Sequence, residues 1–261
     1  MIRALWSSAS GMQAQQMNID VISNNLANVN TTGFKRSMTN FADLMYETER
    51  TPGRTLGDGT NTAVGLQVGY GAKPVSTSRS FLQGDLTATG NKTDIAIQGK
   101  GFFRVQLPNG DFAYTRDGSF KLNSQGQLVT NEGYRLSGVD QIDPKATELT
   151  IGNDGTMSIV LNGAVQQLSP VTMTDFANAE GLRAIGNNLY QVTEASGAAE
   201  DGVAPGAQGL GTLAQGYLEA SNVRVVEEMV RMIQAQRAYE INSKAIMTSD
   251  EMMGIANNLR R

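Results

Sequence analysis

The sequence predicts an α+β protein: long N- and C-terminal helices pairing as a coiled coil, with an antiparallel β domain inserted between them. Three observations carry this. Apolar residues recur at heptad spacing over the first thirty positions. The last forty positions contain no proline and a single glycine, Gly254. Between these ends, short alternating runs are punctuated by Asn-Gly and Asp-Gly pairs. Periodicities of 3.5–3.6 and 2 separate helix from strand, and such dipeptides accept the positive φ of hairpin turns.

In the N-terminal segment Leu5, Met12, Ile19 and Leu26 fall seven apart, with Ile2, Ala9, Gln16, Ile22 and Val29 between them. This is the seam of a helix that packs on another helix. The helix is expected to end where Asn28, Asn30, Thr31, Thr32 and Gly33 accumulate, with Gly33 as the left-handed stop. Asn24, Asn25, Asn28 and Asn30 lower helix propensity. Their amides either bond across a helix pair or are surface polar groups and turn formers.

From about residue 66 to 221 the character changes. Runs at 94–98, 102–107, 127–130 and 149–151 alternate, and turns at Asn109-Gly110, Asp117-Gly118, Asp154-Gly155 and Asn162-Gly163 separate such runs. Turn signals at this spacing predict an antiparallel β domain. The stretch 195–211, with its five glycines and Pro205, and the stretch 51–65 both read as loops.

The C-terminal helix is expected from an N-cap at Ser221-Asn222, with Glu227 and Glu228 early and Arg260 and Arg261 at the end, as the helix dipole favours. Val226, Met229, Val230 and Ile233 form one stripe, continued less regularly by Ala238, Ile241, Ala245, Met252, Ile255 and Leu259. Tyr239 is either an anchor between helices or an intramolecular packing residue. The expected division is a helical assembly domain over 1–30 and 222–261, a linker with an insertion over 31–65, and a β domain over 66–221.

Composition narrows the chemistry. Cysteine and histidine are both absent, which removes thiolate nucleophiles, imidazole relays and zincin motifs. Net charge is −4, the wrong sign for a nucleic-acid footprint. No run is long and apolar enough to span a bilayer. The glycine pairs near 69–71, 99–101 and 206–211 lack the strand–GxGxxG–helix order and a Walker lysine. Asp85, Asp117 and Asp154 sit beside glycine in turns, without calcium-loop spacing. No catalytic, cofactor or metal residues are therefore assigned. An envelope glycan hydrolase would need two carboxylates facing a cleft, and no motif marks them.

Two amphipathic helices at opposite ends of a chain bury their stripes against each other or against other subunits. A head-to-tail contact that does not close builds a helical filament. Against this background the segment 23–36 (SNNLANVNTTGFKR) resembles the signature of the flagellar rod and hook family. The N-terminal MIRALWSSASGMQAQQ, the central GKGFFRVQLPNGDFAYTRDGSFKLNSQGQLVT and the C-terminal GYLEASNVRVVEEMVRMIQAQRAYEINSKAI are similar to the same family in order and spacing.

The resemblance implies a non-enzymatic homo-oligomer that stacks helically in the distal part of the flagellar rod. Its terminal helices would form an inner tube and its β domain would lie outside. The proximal rod and the hook are alternatives within the family. Partners implied are other rod proteins, hook or junction neighbours, envelope ring proteins and the flagellar type III export apparatus. Location would be the basal body in the cell envelope, reached without a cleaved signal and without membrane insertion. Leu5, Met12, Ile19, Leu26, Asn24, Asn25, Asn28, Val226, Val230, Ile233, Tyr239 and Ile241 are the expected assembly residues. Phe41 and Met45 are similar to the Phe-x-x-x-hydrophobic element shown to the export gate, with core packing as the alternative. The stretch 46–65, with Tyr46, Pro52, Arg54 and Gly65, resembles the rod-type insertion that adds contacts between subunits.

Overall fold

A computed structural model of the chain describes residues 2–51, 64–143, 146, 148–161 and 163–258. Pro52, Arg54, Leu259, Arg260, Arg261 and the side chain of Ile2 lie outside the described residues. The chain has two long helices, one near each end, and a β-rich region between them, and it divides into two compact units.

The first unit draws on residues 1–26, 37–78 and 224–261. Helix α1 spans Ile2–Ala27 and helix α2 spans Val225–Asn258, about 39 and 51 Å long at 1.5 Å per residue. Beside them runs a two-stranded ribbon. Strand β1 (Ser37–Asp43) continues into β2 (Tyr46–Arg50), while β3 (Leu66–Gly69) continues into β4 (Ala72–Arg79). β1 pairs with β4 and β2 with β3, Tyr46 facing Gly69 and Glu47 facing Val68. Leu44 N–H to Gly71 O (2.8 Å) and Tyr70 N–H to Met45 O (3.2 Å) bridge the two halves. A lone ribbon is marginal in water; this one is tied to α1 by Arg3, which pairs with Glu47 and Glu49.

The second unit takes residues 27–36 and 79–223. Every registered strand pair in it is antiparallel, the arrangement expected from the turn dipeptides. Its largest sheet runs, in spatial order, Arg183–Gly186, Leu189–Gln191, Phe112–Thr115, Phe103–Gln106, Arg135–Leu136, Leu128–Val129 and Lys121–Leu122. Inward residues Ile95, Ile97, Phe103, Val105, Phe120, Leu136, Met157, Ile159, Met173 and Leu213 make one buried core. A second cluster stacks Phe81, Phe102, Tyr114, Phe176 and Tyr190 edge-to-face. Edge-to-face contacts add about 0.5–1.5 kcal/mol each beyond burial.

Three local expectations change. Helix α2 begins at Val225 because Asn222 does not cap it. The Asn222 carbonyl oxygen accepts from Arg36 N–H (2.8 Å), and its amide donates to Ser80 O and Leu82 O (2.8 and 3.0 Å). The stretch 195–211 is not all loop, since Glu200–Val203 pairs with Met173–Asp175 and Asp201 accepts from Thr174 Oγ1 (2.7 Å). Gly118 is needed for a different reason than a positive φ: a Cβ there would lie 1.6 Å from Ile95 O.

Helix α1 stops at Ala27, and Gly33 then takes φ +67° as expected. A Cβ on Gly33 would also stand 2.7 Å from the Asp117 backbone nitrogen. Gly33→Ala therefore combines left-handed strain, about 1–3 kcal/mol, with a backbone clash. Urea unfolding is expected to show a loss at or above that range, and a neutral result would contradict the packing described.

Candidate assembly interface

Within the first unit, two contacts define how α1 and α2 meet. Asn25 is buried and donates from Nδ2 to Glu228 Oε2 at 3.2 Å. The same amide binds the start of β1 twice, Nδ2 to Ser37 O (2.8 Å) and Ser37 N–H to Oδ1 (2.9 Å). Fourteen residues earlier on α1, Gly11 faces Asn242, fourteen residues later on α2; a Cβ on Gly11 would lie 2.9 Å from Asn242 Nδ2. The helices thus approach antiparallel through small and polar side chains.

That geometry fixes which residues of α2 are covered. Glu228, Ala235 and Ser249 are buried, and with Asn242 they recur every seven residues. One set of large apolar residues faces the other way, Val226 being 74% exposed, Val230 48%, Ile233 55% and Ile241 66%, while Met232, Ile246 and Met253 are half-buried. Tyr239, Met229, Met247, Met252 and Ile255 are exposed with them. On α1, Ala14, Ile22 and Asn25 are buried, while Leu5, Met12, Ile19 and Leu26 are half-buried and Asn24 is exposed. The two large-apolar rows read from the sequence are therefore not the surface through which Asn25–Glu228 and Gly11–Asn242 join the helices. Sequence reasoning missed the pairing face because Gly, Asn, Glu and Ser give no hydropathy signal; their spacing of seven was the available clue.

The remaining candidates fall on the ribbon and the second unit. Phe41 and Met45 are both exposed, so core packing does not account for them. Tyr46 is exposed on β2, and Gly65 is half-buried just before β3. Asn28 accepts from Thr31 Oγ1 (3.3 Å) and lines a polar crevice of about 450 Å³ with Asn30, Asp117, Glu132 and Asn188.

The second unit also holds a buried charge cluster that the sequence did not announce. Lys35 is fully buried, its Nζ 2.6 Å from Glu219 Oε1 and 2.7 Å from Leu82 O. Gly84 N–H donates to the same carboxylate oxygen (2.9 Å), and Arg116 Nη1 stands 3.6 Å from Oε2. Arg116 also donates to Gly99 O (2.8 Å) and lies over the Phe102 ring. Burial lowers the pKa of both cations, against the attraction of Glu219. The three charges come from three distant motifs, at 35, 116 and 219.

Among the described residues no helix is long and apolar enough to cross a membrane. Long exposed apolar faces commonly mark interaction surfaces. The comparisons with known proteins agree in kind. Residues 5–35 match the family model described as flagella basal body rod protein. Residues 96–159 match the flagellar hook protein FlgE/F/G D1 domain, and 214–259 the C-terminal model of the flagellar basal body rod FlgEFG proteins. The chain is 52% identical to the flagellar basal-body rod protein FlgG of Buchnera aphidicola subsp. Schizaphis graminum, over 97% of this chain and 98% of that protein. For Caulobacter vibrioides, identity is 47% to FlgG (99% of this chain, 100% of that protein) and 36% to FlgF (97% and 95%). The chain belongs to the family of flagellar basal-body rod and hook proteins.

The charge cluster has two cations for one carboxylate, which sets an order of costs. Glu219→Gln removes the carboxylate that Lys35 and Arg116 share, leaving Lys35 buried without its ion-pair partner and Arg116 with only the more weakly acting Asp175, and is expected to cost about 3–5 kcal/mol. Lys35→Met leaves the Arg116–Glu219 pair, the Gly84 bond and the Asn222 bond to Leu82 O intact, and is expected to cost clearly less. Denaturant unfolding of the two variants side by side checks the order; a costlier Lys35→Met would reverse the assignment.

Proposed function

We propose that this chain is a structural subunit of the distal flagellar rod that polymerises through its terminal helices into a rigid hollow shaft. The observation that carries this is the rotation of α2. Glu228, Ala235 and Ser249 are turned inward, and Val226, Val230, Ile233, Ile241, Met247 and Ile255 are left to water, with Met232, Ile246 and Met253 half-buried. A globular domain reverses that arrangement; a polymer subunit needs it, because neighbours supply the missing cover.

In this reading α1 and α2 pair antiparallel as a short coiled coil in the register of Asn25–Glu228 and Gly11–Asn242. The paired helices line the central channel, and the β-rich second unit over residues 79–223 forms an outer domain. Leu5, Met12, Ile19, Leu26, Val226, Val230, Ile233, Tyr239 and Ile241 meet neighbouring copies. The exposed ribbon residue Tyr46, together with the stretch 46–65, adds lateral contacts. Phe41 and Met45, exposed on the ribbon, suit a short element read by the type III export machinery. Other rod proteins, the hook or its junction and the envelope rings are the surrounding partners. The higher identity to FlgG than to FlgF within one organism supports the FlgG-type, distal rod reading. The role is architectural, and no catalytic step is assigned to any residue.

Val230→Asp tests the reading. A charge at an exposed helix position is expected to change monomer stability by no more than about 0.5 kcal/mol, while assembly is lost. Thermal unfolding and sedimentation against concentration measure the two separately. Normal assembly of this variant would show that the outward face of α2 is not the interface.

A further inference from the structure

The strand Ala164–Leu168 forms one edge of a three-stranded sheet, beside Met157–Leu161 and then Glu148–Ile151. Its sequence is AVQQL, and Ala164, Val165, Gln166 and Gln167 are all exposed. No Asp, Glu, Lys or Arg occurs between Asp154 and Asp175, so the hairpin that carries this edge is uncharged. Its pairing with Met157–Leu161 runs from Leu161↔Ala164 to Met157↔Leu168 without a break in register.

Exposed edges are normally blunted by charge, proline, a bulge or a cover. Other edges of the second unit's sheets show such devices. Lys121–Leu122 carries a cation, and Arg183–Gly186 carries a cation and a shift in register. Glu148–Ile151 is covered by Gln215, whose Nε2 donates to Leu149 O (3.0 Å) and whose Oε1 accepts from Ile151 N–H (3.1 Å). The strand Ala164–Leu168 has none of them.

We propose that this edge pairs with the same edge of a second copy, antiparallel about Gln166, joining two three-stranded sheets into one. The contact is a second interaction surface, separate from the outward face of α2, and it does not rest on the polymer reading.

The choice of partner follows from the register. Leu161 faces Ala164 across two residues, the spacing of a hydrogen-bonded hairpin pair. Hydrogen-bonded and non-bonded pairs alternate along antiparallel strands. Ala164, Gln166 and Leu168 therefore spend their backbone groups on Met157–Leu161, while Val165 and Gln167 turn theirs outward. In a match centred on Gln166, Val165 of each copy lies opposite Gln167 of the other, and the two pairs supply about four backbone hydrogen bonds. Ala164 meets Leu168, small against large. Gln166 meets its own counterpart, and each amide both donates and accepts. No like charges are brought together.

Such a contact is isologous and closes on two copies. It does not repeat along a rod whose subunits all point one way, so it belongs to the chain outside the rod. The strand has five residues, which makes the contact far smaller than a standard interface. The dimer is therefore short-lived and is best detected by trapping.

The chain has no cysteine, so one introduced thiol reports the contact cleanly. Gln166→Cys would bring two Cα atoms to about 4.5 Å, within disulfide range. Ala164→Cys would leave them about 13 Å apart along the strands, outside it. Each full-length variant is oxidised in dilute solution and followed on non-reducing gels. Gln166→Cys is expected to dimerise at least about tenfold faster than Ala164→Cys. Adding Gln167→Pro removes an outward N–H and no bond to Met157–Leu161; it should slow trapping about tenfold, with far-ultraviolet dichroism unchanged. Val165→Lys, a charge on the edge, should do the same and keeps the test decisive if the proline variant misfolds. Equal rates at 164 and 166 would overturn the pairing. So would fast trapping at 166 that ignores both edge substitutions, since another surface would then bring the copies together.

Discussion

The hydrogen bond between Asn25 and Glu228 orients the rest of the helical unit. A carboxylate in the first turn of a helix is well placed for the dipole and normally stays in water. Here Glu228 is buried against an amide that is itself locked to both backbone groups of Ser37. Removing either partner would strand a buried polar group at about 1–3 kcal/mol or more. The rotation of α2 is therefore strongly specified. Once Glu228 faces inward, Ala235, Asn242 and Ser249 follow, and Val226, Val230, Ile233 and Ile241 have no choice but to face out. A polar pair of this kind specifies register at some cost in stability, and the cost leaves apolar area free for neighbouring copies.

The second unit depends on a different buried contact with a similar logic. Lys35, Arg116 and Glu219 lie far apart in sequence and meet in an apolar interior. Lys35 follows the turn that leaves α1, and Glu219 lies in the strand just before α2. Gly33 N–H donates to Glu219 O (2.8 Å) and Asn188 Nδ2 to Thr32 O (2.8 Å), so the segment 32–36 is fastened along its length. Both connections from this unit to the helices are thereby held close together. A buried ion cluster is weak evidence for stability; its use here is that only one closure of the chain satisfies all three charges.

The fold class was legible because its signals are strong and local. Heptad apolar spacing marks α1, proline-free length marks α2, and turn dipeptides mark the antiparallel strands. What stayed hidden has physical causes. The ribbon of β1 to β4 is largely exposed and rich in Ser, Thr, Asn, Gln and Glu, so it carries no alternation to read. Large residues at Leu5, Met12, Ile19 and Leu26 drew attention to one face of α1, whereas the closest approach uses Gly11 and Asn25. Lys35 reads as a surface residue, since lysine is seldom fully buried without a partner, and its partner is 184 residues away. Of the expected large apolar assembly residues, those on α2 proved to be the exposed ones, which a stripe pattern alone does not distinguish from core.

Exposed methionines on α2 give the most direct test of the central claim, that other copies cover this face. Met229, Met247 and Met252 are 51%, 55% and 47% exposed and are open to peroxide oxidation, which converts each to the polar sulfoxide. Oxidation of each residue should be compared by mass spectrometry in the free chain and in assembled rods. The account predicts rapid reaction in the free chain and strong protection after assembly. Equal reactivity in both states would mean that the outward face of α2 stays in water, and would contradict it.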